Sequence, residues 1–269
     1  MRQMKRLAAL LLAAAIIAAT PLAALALPAG GYVPVKATQY SWNEKTSTWV
    51  QTSERTMSYK SDGRKTGNSS VSSSGTNTWT KFKWKGNYVT KTIYSDGDYM
   101  MFKYKSSKRK SITDFDASTG KNEVRTYKWK KNTGTMVTDD YTAKLTVNGK
   151  GQVVKHQYKY KNGDVTTTTY KYYGNGNRKS YTTKRSDGYT YTVKYNSKGY
   201  VVSENGKNST HSWSYKYKYT TKKGKITQRL YTYQSSTGAA YKYKTVYTKW
   251  KKVSHVMNCD AYGYAMGLG

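Results

Sequence analysis

The sequence predicts an all-β protein, an elongated antiparallel meander of stacked β-hairpin repeats that forms a largely single-layer or weakly coiled sheet. Three observations predict this class. Aromatic residues alternate with lysines in several blocks, glycine-centred turns separate the blocks at short intervals, and the chain is rich in Tyr and Thr. Because strand side chains point to alternate faces, each block has an aromatic face and a lysine face.

The first element is an N-terminal signal peptide, residues 1–26. Arg2, Lys5 and Arg6 precede a long apolar run, and a small-x-small site ends at Ala26. This pattern is typical of a secretory signal. An uncleaved membrane anchor is the alternative, because the run is about as long as a spanning helix. We expect cleavage, and therefore a secreted or cell-envelope protein with no remaining membrane span.

The chain beyond the signal has an unusual supply of core residues. Leu, Ile, Val and Phe provide only 27 of its 243 residues, and the whole chain carries 47 Lys and Arg against 14 Asp and Glu. Such values are common in disordered chains. The 29 Tyr and 7 Trp argue against disorder, because these residues favour strands and carry large apolar bodies. We expect a folded domain with a thin, tyrosine-rich core.

Residues 27–255 are predicted to form the hairpin-repeat domain. Turns such as Ser61–Gly63 and Ser95–Gly97 lie mostly 11 to 15 residues apart, so about sixteen strands fit between Tyr32 and His255. Gly supplies the positive φ angles of tight hairpin turns. The alternating blocks are Phe82–Lys85, Phe102–Lys105, Tyr127–Lys130, Tyr158–Lys161, Tyr215–Tyr219 and Tyr241–Lys244.

Three segments place glycine four residues after tyrosine: Tyr59–Gly63, Tyr172–Gly176 and Tyr195–Gly199. In this spacing the chain resembles the YD (tyrosine-aspartate), or RHS-like, β-hairpin repeats of secreted bacterial proteins. The aspartate that follows tyrosine in those repeats is missing here. The resemblance implies stacked hairpins and an extracellular location, and it implies no activity.

Two stretches interrupt the repeats. Residues 66–77 are rich in Gly, Ser and Asn, which predicts a flexible loop. Residues 256–269 carry little charge and end in glycines, which predicts a C-terminal edge strand or tail. The lone cysteine, Cys259, excludes a disulfide framework within the chain and leaves pairing between molecules open.

Catalytic and metal-binding patterns are weak. His255 and Cys259 are two ligands at most, and a metal site needs more. The same pair would be a poor nucleophile and base in a terminal tail. Asp114 with Asp116, or Asp139–Asp140, could pair as in a glycosidase, but surface and turn roles explain them better. We predict no enzyme, no metal and no cofactor.

The excess of lysine predicts a polyanionic partner, since a merely soluble sheet would pair Lys with Glu across its strands. Lysines that repel one another favour a partner whose counterions are released on binding. Teichoic acid, acidic polysaccharide, extracellular DNA and mucin are the polymers within reach of an exported protein. The predicted ligand-binding residues are Lys83, Lys85, Lys103, Lys105, Lys128, Lys130, Lys159, Lys161, Lys216, Lys218, Lys242 and Lys244.

Two other functions stay open. In a carbohydrate-binding module, exposed tryptophans would stack on sugar rings, although burial explains most of them better. In a structural spacer or self-assembling component, the edge strands of the meander would pair between molecules. Charge repulsion then predicts a monomer at low salt. The tryptophans are Trp42, Trp49, Trp79, Trp84, Trp129, Trp213 and Trp250.

Overall fold

The computed structural model describes residues 28–260, 263, 264 and 268. These residues form nineteen β-strands and no helix, which confirms the all-β antiparallel prediction. The predicted signal peptide, residues 1–26, lies outside the described residues. No helix in the described part of the chain is long and apolar enough to cross a membrane.

The strands follow one another through short turns. The first nine are β1 (Gly31–Asn43), β2 (Thr48–Tyr59), β3 (Lys65–Ser72), β4 (Asn77–Lys85), β5 (Tyr88–Tyr94), β6 (Tyr99–Lys105), β7 (Lys108–Asp116), β8 (Lys121–Thr126) and β9 (Lys128–Lys130). The others are β10 (Thr133–Val137), β11 (Tyr141–Val147), β12 (Val153–Tyr160), β13 (Val165–Tyr172), β14 (Arg178–Arg185), β15 (Thr190–Tyr195), β16 (Val201–Lys207), β17 (Ser212–Lys222), β18 (Lys225–Ser235) and β19 (Ala240–Val253).

The sheet curls until its first and last strands meet. Ala37 of β1 lies opposite both Arg55 of β2 and Tyr247 of β19. The prediction of a largely single-layer or weakly coiled sheet is therefore partly wrong, because the sheet nearly closes into a barrel. The twist of each strand pair accumulates along a long meander and brings its ends together. Closure also removes the two terminal edges that a linear stack would leave.

The closure is interrupted beside Tyr127, which separates β8 from β9. In the described structure β8 pairs with β7, whereas β9 pairs with β10. Between β8 and β10 a cavity of about 580 Å³ opens, lined among others by Val124 and Val137. These two valines are 64% and 73% exposed. We call this gap the seam, and it is where the sheet retains an edge.

The Ser-rich stretch 66–77, where a flexible loop was predicted, forms most of β3 and the turn into β4. Asn68 and Ser70 of β3 lie opposite Met57 and Arg55 of β2. The composition was misleading because β3 lies between β2 and β4 and is paired with both. Its backbone hydrogen bonds to these strands order the segment whatever its side chains are.

Hairpins at one end of the barrel share a construction that the sequence did not reveal. Most have a register shift beside the turn, as between Lys83 and Trp84, whereas β9 and β10 pair without one. An aromatic N–H or O–H then reaches the backbone of the preceding hairpin: Trp84 Nε1 donates to Lys65 O at 2.8 Å, and Tyr104 Oη to Val89 O at 3.2 Å. The same bond joins Trp129 to Arg109, Tyr172 to Val153, Tyr219 to Val201 and Trp250 to Ile226.

The inner face holds two buried clusters. One is centred on Val89, Phe102 and Leu145, and the other on Val33, Met57 and Tyr247. Arginines also point inward, where their guanidinium groups lie over aromatic rings. The distances from guanidinium carbon to ring centroid are 4.3 Å for Arg109 and Phe102, 4.9 Å for Arg178 and Tyr170, and 5.3 Å for Arg229 and Tyr231.

Residues beyond β19 lie across the same end of the barrel. Asn258 accepts from the backbone N–H of Arg178 at 2.9 Å, and Asp260 accepts from that of Val89 at 2.8 Å. Gly63, at φ 92°, leaves room for the His255 carbonyl, which a Cβ would meet at 1.8 Å. Asn258 and Asp260 are each 3% exposed. The segment predicted as an edge or tail therefore links β5 to β14.

Candidate functional site

A row of outward lysines crosses seven neighbouring strands, β13 to β19. The inner face of these strands is marked by Val193 and Glu204, which lie opposite each other, so the residues next to them point outward. The lysines occupy alternate strands, and Ser or Thr occupies each strand between them. In register order the row is Lys171, Ser180, Lys194, Ser203, Lys216, Thr232 and Lys242. We call these seven residues the lysine row, and all four lysines are exposed.

A second row, without lysine, runs beside the first on β13 to β18. We call it the amide–hydroxyl row, and it consists of Thr169, Thr182, Thr192, Asn205, Ser214 and Gln234. The hydroxyl oxygens of Thr182 and Thr192 lie 3.0 Å apart. Unlike lysine, these side chains both donate and accept hydrogen bonds.

A second set of lysines borders the amide–hydroxyl row on its other side. Lys184 of β14 and Lys207 of β16 again lie on alternate strands, with Thr190 between them. Part of this surface forms a groove of about 490 Å³, whose lining includes Thr192 and Asn205. The outer face of β13 to β18 is therefore a polar track with a row of cations on each side.

Two tryptophans stand at the end of the lysine row, on β1 and β2. The ring centroids of Trp42 and Trp49 lie 5.3 Å apart at 65°. Lys242 Nζ lies 5.9 Å from the Trp42 centroid, and Lys244 Nζ lies 4.6 Å from that of Trp49 and 5.0 Å from that of Tyr40. We call Trp42 and Trp49 the tryptophan pair. The expectation that rings and lysines keep to opposite faces fails here.

The charge around the track is almost entirely positive. Residues 165–253 contain nineteen Lys and Arg against two acids, Asp187 and Glu204. Asp187 lies in a turn beside Arg185, at 2.6 Å. Glu204 faces inward and accepts the hydroxyls of Tyr191 and Tyr217. No carboxylate of these strands therefore faces the track, and an anionic ligand meets no opposing charge on it.

The twelve predicted lysines are spread around the barrel rather than gathered. Eleven are exposed, and Lys244 is half-buried beside Trp49. Those on β4, β6 and β9 lie away from the track, Lys159 lies opposite Val165 on its first strand, and Lys161 follows β12. Lys216 and Lys242 belong to the lysine row. The sequence analysis did not include Lys171 and Lys194, although Lys171 lies between Tyr170 and Tyr172 and Lys194 lies between Val193 and Tyr195. The period-two phase of each strand signals them, but only the pairing register puts them in line.

The residues considered for catalysis have structural surroundings. Asp114 forms an ion pair with Arg125, and the Ser118 hydroxyl holds the pKa of Asp116 below its ordinary value. His255 Nδ1 lies 2.8 Å from the Pro28 carbonyl. Burial raises the pKa of the Cys259 thiol to about 12, which opposes formation of a reactive thiolate. Among the described residues, no three His, Cys, Asp or Glu side chains cluster as a metal site requires.

Comparisons with known proteins give no family. No family model matches the chain, and no curated protein matches it. A porin-like protein from Bacteroides uniformis is 14% identical at a TM-score of 0.46. The match covers 80% of this chain and 96% of the porin-like chain. A porin-like protein from Bacteroides vulgatus is 8% identical, with coverages of 80% and 99% and a TM-score of 0.35.

A third solved structure, TcdB2-TccC3 without its hypervariable C-terminal region, is 10% identical at a TM-score of 0.34. The match covers 75% of this chain and 15% of the TcdB2-TccC3 chain. At these values none of the three structures establishes a common fold or activity.

Proposed function

We propose that this protein is an exported, non-enzymatic module that binds anionic polymers through the outer face of β13 to β19. The observation that carries the proposal is the lysine row, four exposed lysines in register over seven strands with no outward carboxylate among them. Export rests on the N-terminal sequence, and the resemblance to YD-type hairpin repeats is in keeping with an extracellular location.

The four lysines of the lysine row lie opposite Ser or Thr, so no carboxylate on a neighbouring strand faces them. An exposed pair of opposite charges contributes little to stability, and these lysines do not form even such pairs with neighbouring strands. A polyanion laid over them releases its condensed counterions, which favours binding at low salt. Lysine acts as a flexible point charge and suits phosphate, sulfate or carboxylate alike. The track is therefore suited to a charged polymer rather than to one shaped small molecule.

The second candidate, carbohydrate binding by tryptophan, is favoured at one place. Trp84, Trp129 and Trp250 commit their indole N–H groups to backbone carbonyls and pack on the buried clusters. Trp42 and Trp49 lie beside outward lysines, where a ligand has access to them. Trp79 lies beside Lys81 in a similar way but on β4, away from the track, so a sugar-binding role that involves the track is limited to the tryptophan pair.

The test is a salt series on immobilised heparin, teichoic acid and DNA with matched double variants. Lys194→Gln with Lys216→Gln removes two charges from the lysine row, and Lys103→Gln with Lys130→Gln removes two exposed charges elsewhere. We expect the first variant to reduce the slope of log affinity against log salt by roughly 0.7 for each lysine, and the control to leave it unchanged. Equal losses in both variants, or binding to none of the polymers at low salt, would contradict the proposal.

A further inference from the structure

We infer that the polymer bound by the track is an acidic polysaccharide with one negative charge on every second sugar, which crosses the strands and stacks a sugar ring on the tryptophan pair. This inference rests on the proposed function. It selects one class among the polyanions, and three independent features of the site support it: the spacing of the lysines, the chemistry of the amide–hydroxyl row and the rings at its end.

The first feature is the charge spacing. Neighbouring strands lie about 4.8 Å apart, so lysines on alternate strands repeat every ~10 Å. Lys194 and Lys216, with Ser203 between them, show this repeat. Two linked sugar rings in an extended chain span a similar length, so a charge on every second sugar would meet one lysine each time. Each strand of duplex DNA carries a phosphate about every 3.4 Å along the axis and would leave most of them unmatched.

The second feature is the amide–hydroxyl row. A phosphate chain only accepts hydrogen bonds, and lysine and arginine, which only donate, are its natural partners. Sugar hydroxyls both donate and accept. Thr192, Asn205, Ser214 and Gln234 offer donors and acceptors over four consecutive strands, along the side of the lysine row that faces the groove. This surface matches the neutral hydroxyls of a polysaccharide between its charged groups.

The third feature is the tryptophan pair. Aromatic rings present a large apolar surface that suits the C–H face of a sugar ring. Lys242 belongs to the lysine row and also lies near the Trp42 ring. Lys244 lies between Trp49 and Tyr40 and supplies a further cation there. The pair therefore continues the row, and a chain crossing β13 to β19 reaches it without changing direction.

The experiment compares ligands of equal length on the intact protein. Hyaluronan oligosaccharides carry one carboxylate for every two sugars, oligogalacturonates carry one on every sugar, fully N-acetylated chito-oligosaccharides are neutral, and oligo-dT is a nucleic acid. We expect hyaluronan oligosaccharides to bind most tightly, despite their lower charge density, and to quench tryptophan fluorescence. Affinities ranked by charge density, or oligo-dT binding most tightly, would overturn this inference and leave the proposed function standing. If none of these ligands binds in a salt-dependent way, both this inference and the proposed function are overturned.

A matched pair of variants tests whether the tryptophan pair stacks on the sugar. Trp49→Ala removes one ring of the pair, while Trp79→Ala removes another tryptophan near a lysine, with Lys81 Nζ 4.6 Å from its centroid, on β4. We expect Trp49→Ala to weaken hyaluronan binding about tenfold with an unchanged salt slope, the scale of one lost stacking contact, and Trp79→Ala to leave it unchanged. Thermal unfolding checks that both variants fold. If the two variants bind hyaluronan with equal affinity, the tryptophan pair is not part of the binding site.

Discussion

Lys194 of β15 and Lys216 of β17 both lie opposite Ser203 of β16, so a hydroxyl strand separates each lysine from the next in its row. Like charges directly opposite each other on neighbouring strands destabilise a sheet, and the separation here is about twice as large. Lysines therefore do not occupy adjacent strands along this row. The arrangement keeps a high charge density while limiting its cost to folding.

Replacing the spacer with a third lysine should expose that cost. In Ser203→Lys three lysines occupy adjacent strands, and we expect a loss of about 0.5–1 kcal/mol in the free energy of unfolding at low salt. The loss should shrink at high salt, where the charges are screened. Ser214→Lys, placed between Asn205 and Gln234, is the control. Thermal unfolding at two ionic strengths measures both, and equal effects would show that lysine spacing is irrelevant to stability.

The segment beyond β19 should contribute strongly to stability through Asn258. Its amide accepts from the Arg178 backbone N–H at 2.9 Å and donates to the Arg178 carbonyl at 3.2 Å, and both residues are buried. Asn258→Ala leaves these backbone groups without side-chain partners, so we expect a loss of about 2–4 kcal/mol by denaturant unfolding. Asn77→Ala, at an exposed site on β4, should change stability little. A small effect of Asn258→Ala would mean that the segment is not needed to hold the barrel.

Stability should fall in mild acid because of His156. Burial, with a smaller contribution from Arg109, lowers the pKa of His156 from 6.5 to about 4. The unfolded chain therefore binds more protons between these values. The contribution of His156 is fully present above pH 6.5 and is lost as the pH falls towards 4, by up to about 3 kcal/mol.

A series of unfolding curves between pH 4 and 7 measures the slope. His156→Phe should flatten it, because the ring is kept and the titration removed, and His211→Gln, in an exposed turn, should not. An unchanged slope in His156→Phe would assign the pH dependence to other groups.

Self-association, if charge is screened, should occur at the seam rather than at the C-terminal strand. β19 is paired on both sides, whereas β8 borders the seam, with Val124 and Val137 exposed. We expect a monomer at low salt and concentration-dependent association at high salt, followed by light scattering. Val124→Lys with Val137→Lys should abolish the association, and Val50→Lys with Val71→Lys should not. Association unaffected by the seam variant would place the contact elsewhere.

Much of the local structure was predictable. Strict alternation located strands such as β4, β6 and β17, and the glycine turns located the hairpins, because strand periodicity and positive φ are properties of a few adjacent residues. Arginine is rarer than lysine in the chain, and several arginines mark inward positions. Arg109, Arg178 and Arg229 point inward, while the lysines of the alternating blocks point outward.

The candidate site was only half predictable for a different reason. Composition and phase identify outward cations, and Lys216 and Lys242 were among those predicted. A site, however, is a set of residues brought side by side, and this depends on how neighbouring strands align. A shift of one residue in the register of β15 would move Lys194 out of line with Lys216. The sequence does not predict the register shift beside Tyr195.

The sequence by itself determined the strand content, the two-faced strands and the strong positive charge, since these follow from residue type and spacing along the chain. Tertiary structure alone decided that β1 meets β19, that residues 254–260 cross one end of the barrel, and that four lysines form a line ending at Trp42. These outcomes depend on twist accumulated over nineteen strands and on pairing between residues as far apart as Gly31 and Val253, and no local pattern encodes either.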